Sequence, residues 1–243
     1  MNKVAEFYDD YSAKQLKAGV HKRHIYIKNW LVEKGLRPDS KILELGCGIG
    51  TVTSLILPLL NENGKLLAVD ISPESIALAQ QRLSNYKQAS FICADVVDLE
   101  MKGEEFDFII LPDVLEHIPI EVHNKLFRKL REVCHQNTTV LIHIPFPNYL
   151  QHLIDSKAES LQIIDQPLFT NELLLAVYNN GFYLHFLTTY SIWVKEGDAQ
   201  LLVLKVNPKN KYSYLGYSKP NIVSRGFNAM KRYIADWRFR NRI

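Results

Sequence analysis

Residues whose types and spacing can do chemistry fall in three places along the chain. The first is Glu44-Leu45-Gly46-Cys47-Gly48-Ile49-Gly50-Thr51, an acid followed by glycines at every second position. Glycines lack a Cβ, so a ligand can approach the backbone closely there. The spacing is G-x-G-x-G, with Thr51 where a dinucleotide-binding fingerprint has its last glycine. Anions favour a helix N-terminus, so the carboxylate of Glu44 beside this turn argues against a bound pyrophosphate and for a ligand carrying positive charge. The second place is a pair of acids, Asp70 and Asp95, each closing an apolar run. Asp70 lies 24 positions beyond Gly46, a spacing that suits an acid accepting both hydroxyls of a ribose. The third is Asp113, Glu116 and His117, with His143 and His152 further on. Carboxylates and imidazoles of this kind can bind a polar substrate and move a proton.

These groups need a frame, and the hydrophobic pattern supplies one. Ile42–Leu45 reads as a buried strand that ends in the glycine turn, and Val52–Leu60 as the helix that follows. Leu66–Asp70 is a second strand, entered through Asn63-Gly64. Ser72-Pro73-Glu74 then opens a helix with an N-cap, a first-turn proline and a first-turn acid. Ser90–Val96 is a third strand, and Glu105–Pro119 is the fourth strand and the loop leaving it. Glu121–Val133 is amphipathic and Thr138–Ile144 is a fifth strand. Pro145 and Pro147 end that strand's ladder, so the chain must swing over the pocket mouth. Tyr149–Ile154 reads as a short inserted helix, with His152, Asp155, Gln162 and Asp165 as polar candidates in the insertion. Thr170-Asn171-Glu172 caps the last helix, Leu173–Asn180, and Gly181 ends it. Phe182–Trp193 and Gln200–Val206 are two strands joined by a hairpin at Lys195-Glu196-Gly197-Asp198.

The glycine turn, the two strand-end acids and the Leu115-Glu116-His117 loop together resemble the class I S-adenosylmethionine (SAM) methyltransferases, over roughly residues 23–206. The resemblance implies an α/β fold: a Rossmann-like, seven-stranded, mostly parallel sheet with helices on both faces and an antiparallel final strand. It implies SAM as cofactor and S-adenosylhomocysteine (SAH) as product. Glu44, Gly46, Gly48 and Gly50 would form the cofactor turn. Asp70, with Ile71 beside it, would take the ribose, and Asp95 and Val96 the adenine. Leu111 and Pro112 would pass the methionine part. Arg23-His24-Ile25-Tyr26-Ile27 resembles the segment ahead of the turn in quinone-type members, where the arginine binds the methionine carboxylate; a solvated helix arginine is the competing reading of Arg23. Tyr11, Asp113, Glu116 and Tyr149 are the acceptor candidates. His117 reads as a general base or as a histidine pinning its loop, with His143 and His152 next in line as bases. The D/N-P-P-Y/F segment used on nucleic-acid bases is absent, which counts against a base methylase.

Composition bounds the rest. Three scattered cysteines, Cys47, Cys93 and Cys134, make neither a disulfide framework nor a metal site, and they suit a reducing cytosol. The first ten residues lack an apolar stretch, so no signal peptide is expected, and no apolar run approaches the roughly 20 residues of a membrane span. Residues 1–36 read as an N-terminal helical cap, 37–206 as the SAM-binding domain with an acceptor lid at 148–169, and 207–243 as a tail. From Lys205 onward there are ten Lys/Arg and one acid, Asp236, a charge of +9; the remainder carries 19 basic and 25 acidic residues, a charge of −6. Val223, Phe227, Met230, Ile234 and Trp237 fall on one helical stripe flanked by arginines and lysines. Such a stripe packs on the protein's own body or a second subunit, or lies at an anionic membrane face. The expectation is a cytoplasmic enzyme, with peripheral contact to the inner membrane face open, nucleic acid disfavoured and the oligomeric state open. The expected reaction is O-methylation of a small molecule, sugar or lipid-linked glycan, as in polysaccharide biosynthesis. A quinone or polyketide acceptor, an RNA methyltransferase and a non-catalytic SAM-binding protein are the alternatives.

Overall fold

A computed structural model describes residues 12–101 and 103–208 of the chain, and those up to Asn207 form one compact unit. Residues 12–18 are helical and end at Gly19, whose φ is +67°. Thirteen further elements follow: α1 (Lys22–Glu33), β1 (Lys41–Leu45), α2 (Thr51–Ile56), β2 (Lys65–Asp70), α3 (Pro73–Arg82), β3 (Ala89–Cys93), β4 (Phe106–Pro112), α4 (His123–Glu132), β5 (Cys134–Pro145), α5 (Pro147–Asp155), α6 (Thr170–Asn179), β6 (Phe182–Tyr190) and β7 (Ala199–Val206). The sheet order is β3-β2-β1-β4-β5-β7-β6. The first five strands pair in parallel, and β7 runs antiparallel to both of its neighbours. This is the expected seven-stranded α/β fold.

Strand residues alternate between two apolar layers, as the period of two requires. Ile42, Phe108, Ile110, Leu141 and Val203 face a layer completed by Ile27 and Leu31 of α1, Val52 and Ile56 of α2 and Ile76 of α3. Leu43, Ile109, Val140, Ile142 and Leu202 face the other layer, completed by Leu126 and Phe127 of α4 and Leu173 and Val177 of α6. Both faces are therefore covered, which is what a parallel sheet needs. Ser72 caps α3 as read, its Oγ accepting the Ser75 N–H at 3.0 Å, with Pro73 in the first turn.

Several boundaries differ from the sequence reading. β3 stops at Cys93, so Asp95 and Val96 lie in the loop beyond it. β6 stops at Tyr190 because the buried Asp198 carboxylate gathers the N–H groups of Ile192, Trp193 and Val194, which closes the hairpin loop instead of extending the ladder. β5 begins at Cys134, four residues early, with a bulge between Phe106 and Phe108 on its partner. α4 starts at His123, after a 3-10 turn at Ile120–Val122. Thr170 is the first residue of α6, and Phe169, which makes no side-chain cap, stands ahead of it. No helix among the described residues is long and apolar enough to cross a membrane. Tyr11 and the basic stripe at 222–243 lie outside the described residues.

Phe127 is fully buried and meets the Phe182 ring edge-on, with centroids 6.2 Å apart. Truncating such a residue removes apolar burial and leaves a cavity. Phe127→Ala is expected to lower unfolding free energy by about 3–5 kcal/mol in urea melts. A loss under about 1 kcal/mol would show that this layer is not packed as described.

Candidate active site

The carboxyl ends of β1, β2 and β4 open on one cavity of about 980 Å³. That is the upper end of the range for small-ligand sites, about 300–1,000 Å³. The glycine turn forms part of its wall. Gly46 and Cys47 both donate N–H to the Val69 carbonyl, at 2.8 and 3.0 Å, which fastens the turn to β2. Gly46 has φ +75°, and a Cβ there would stand 2.6 Å from Val114 in the loop after β4. Gly48 has φ +52°, and a Cβ there would strike the Gln15 side chain at 2.7 Å. Only glycine combines this backbone with so close an approach. Gly50 serves differently: it is the N-cap of α2 and does not line the cavity.

Asp70, at the tip of β2, holds the turn. Its Oδ2 accepts the Gly48 N–H at 2.7 Å and its Oδ1 the Ser72 N–H at 3.0 Å. Asp70 also lines the cavity. Ile71, Asp95 and Val96 also line the cavity, and Asp95 steadies its own loop by accepting the Val97 N–H at 2.8 Å.

Glu44 is fully buried on this wall. Its Oε2 accepts from Thr53 Oγ1 at 2.7 Å, and its Oε1 has no hydrogen-bond partner among the described residues. Burial pushes its carboxyl up to about 8; the Thr53 bond opposes that shift and the neighbouring Asp70 charge reinforces it. An unpaired buried acceptor is a site built for a hydrogen donor, preferably a cation.

The loop after β4 carries the second group of polar residues. Asp113 adopts φ +53°, a left-handed conformation that aspartate tolerates better than most residues. Its carboxylate pairs with Arg23 Nε at 3.3 Å and accepts from His143 Nδ1 at 2.5 Å, and His143 Nε2 meets the Tyr190 hydroxyl at 2.5 Å. Burial pushes the Asp113 carboxyl up, but the His143 and Arg23 charges outweigh it and hold the group below the usual carboxylate range. Arg23 uses only Nε in these contacts; both Nη groups are without a partner among the described residues. His117 donates Nδ1–H to the Ile164 carbonyl at 2.7 Å and has the Asp165 carboxylate at 3.2 Å. Burial opposes its charge, yet Glu116 and Asp165 win and raise it to about 9. His117 thereby fastens its loop to the 161–167 segment, where Gln166 also bonds the Glu116 and Ile118 carbonyls.

Not every expected residue reaches the cavity. Pro112, Asp113, Glu116, His117 and Tyr149 line it, whereas Leu111 is buried within β4. His143 sits behind Asp113, reaching the wall only through it. His152 is exposed on α5 and does not line the cavity. Gln162 and Asp165, polar candidates of the insertion, are on the wall, and so are Gln15, His21 and Trp193, which were not among the expected site residues. Tyr190 was missed too; no local signal links it to His143, 47 positions away.

Residues 42–137 match the family model described as a methyltransferase domain. A magnesium-protoporphyrin O-methyltransferase of Synechocystis is 34% identical over 96 residues, 38% of this chain and 39% of that protein. The chain thus spans about two fifths of that relative. A SAM-dependent methyltransferase structure from Clostridium acetobutylicum covers 85% of this chain and 99% of its own, with a TM-score of 0.64 at 17% identity. The magnesium protoporphyrin IX methyltransferase structure with bound SAH, also from Synechocystis, covers 76% of this chain and 81% of its own at a TM-score of 0.59 and 22% identity. The chain has the fold of the class I SAM-dependent methyltransferases, and its segment 42–137 is similar to their methyltransferase domain. The cavity wall fits that cofactor: the unpaired Glu44 oxygen suits an α-ammonium, the Arg23 Nη groups a carboxylate, and Asp70 a ribose.

Glu44 also makes stability depend on pH. Its carboxyl rises from 4.5 unfolded to about 8 folded, so its contribution is complete below pH 4.5 and is lost as pH climbs through 8. Ligand-free protein should lose stability relative to Glu44→Gln by up to about 1.4 kcal/mol per pH unit in that window. Urea melts at stepped pH check this, and parallel profiles for the two proteins would contradict it.

Proposed function

We propose that this chain transfers the methyl group of SAM to a heteroatom of a small acceptor. The observation that carries the reading is Glu44, a buried acid with an unpaired oxygen beside a glycine turn, on the same wall as Asp70 and Asp95. Bound SAM supplies an electrophilic methyl on a sulfonium. The chain's own work is to bind and align. Glu44 takes the ammonium and Arg23 the carboxylate, by a fork suited to planar anions. Gly46 and Gly48 let the ligand lie against the backbone. Asp70 with Ile71 holds the ribose, Asp95 and Val96 the adenine, and Pro112 flanks the methionine part. Alignment of reactants is the largest contribution, on the order of 7–11 kcal/mol.

The acceptor enters between the 113–119 loop and the lid, against Asp113, Glu116 and Tyr149. His117, held charged by Glu116 and Asp165, serves as the staple between the two rather than as the first base. Acids outnumber cations there, with Asp113, Glu116, Glu159 and Asp165 against Arg23 and His117. That balance supports a neutral or cationic heteroatom, a hydroxyl or an amine nitrogen, over a carboxylate, a phosphate or an RNA backbone. The pattern at 222–243 supports contact with an anionic surface, which would suit a lipid-linked acceptor.

Two measurements test the reading. A charged hydrogen bond contributes roughly 1.5–3 kcal/mol, so Asp70→Asn should weaken SAM about tenfold to a few hundredfold by calorimetry. Unchanged affinity in a folded variant would remove Asp70 from the cofactor site. With methyl-labelled SAM and a fractionated lysate, label should enter small molecules or lipids as SAH appears. Label in RNA, or no SAH at all, would refute the acceptor class or the activity respectively.

A further inference from the structure

The cofactor accounts for Glu44 but not for a second buried acid. Glu116 is 1% exposed, in the 3-10 turn Leu115–His117, on the cavity wall. Its Oε2 has no hydrogen-bond partner among the described residues, and its Oε1 stands 3.8 Å from His117 Nε2, beyond bonding distance. Gln162, on the lid side of the same cavity, has a buried Oε1 that is likewise without a partner there. Both atoms are acceptors. Two cations face three carboxylates here: Arg23 pairs with Asp113, and His117 is shared between Asp165 at 3.2 Å and Glu116 at 3.8 Å. What the chamber lacks is hydrogen donors and one positive charge. Val114, Ile118, Leu150, Leu153 and Leu161 supply an apolar surround.

We infer that the acceptor is an amine on an apolar body, whose nitrogen enters as an ammonium and donates hydrogens to Glu116 and Gln162. This rests on the methyltransferase reading above and narrows its acceptor. An ammonium has three N–H donors and a charge, enough donors for both orphan acceptors, whereas a hydroxyl has one hydrogen to give. The same contact prepares the nitrogen. One N–H bond breaks, its electron pair stays on nitrogen as the nucleophilic lone pair, and the proton passes to Glu116 Oε2. Burial, opposed by His117 and helped by Asp113, raises the Glu116 carboxyl to about 7, where it can hold that proton.

The test uses full-length protein saturated with SAH and three matched probes: benzylamine, benzyl alcohol and benzoate. NMR titration should show benzylamine binding at least tenfold tighter than benzyl alcohol, with benzoate weakest. Glu116→Gln, close to isosteric, should erase most of the amine's advantage while its separately measured SAH affinity stays at the parental value. Gln162→Leu should reduce that advantage to a smaller degree. Equal or tighter binding of benzyl alcohol or benzoate, no probe binding at millimolar concentration, or an amine advantage that survives Glu116→Gln would overturn the inference while SAH binding stands. Failure of SAH itself to bind would overturn both this inference and the methyltransferase reading.

Discussion

One carboxylate joins two parts of the cavity wall: Asp70 accepts the Gly48 N–H with one oxygen and the Ser72 N–H with the other. Parallel neighbours end at the same edge of the sheet, so the turns leaving β1 and β2 start side by side. Each would otherwise present unsatisfied N–H groups to the cavity. Asp70 satisfies one from each turn and fixes their separation, while the Val69 carbonyl takes two more from Gly46 and Cys47. The shape of this part of the cavity wall follows from this small set of bonds, and the adjacent helices α2 and α3 start from the positions it defines.

Most of the frame and half of the site were legible in the sequence, for local reasons. The glycine turn, the strand-end acids and the Ser72-Pro73 cap are short patterns whose physics is contained within a few residues. The seven-stranded, mostly parallel sheet was what the resemblance implied, and its strand order came only with the structure. What escaped depended on distant pairing. Asp198 ends β6 early because it gathers three N–H groups across its own loop, and the hairpin signal could not carry that. Tyr190 meets His143, and Gln15 meets Ile49, only once the elements are packed. His152 shares a short helix with Tyr149 and Leu150, yet that helix turns His152 outward. A lone histidine carries no sequence mark of which face it will take.

The cavity's two halves share a design. Each contains a fully buried glutamate with one satisfied or screened oxygen and one left over, and in each burial lifts the carboxyl toward neutral pH. Such groups are unfavourable in the ligand-free fold and become favourable when a cationic ligand arrives. Near Glu116 two cations, Arg23 and His117, are shared among three carboxylates, Asp113, Asp165 and Glu116 itself. His117 has a structural consequence as well. By binding Ile164 and Asp165 it fastens the 113–119 loop to the 161–167 segment, a charge-assisted staple across 47 residues of sequence.

The central claim is that Glu44 and the glycine turn hold the methionine end of SAM. A crystal structure of the protein grown with SAH tests it most directly. The account predicts the homocysteine ammonium within hydrogen-bond distance of Glu44 Oε1, its carboxylate on Arg23, and the ribose hydroxyls on Asp70. SAH seated elsewhere, or seated in this cavity with Glu44 Oε1 still unpaired, would contradict it.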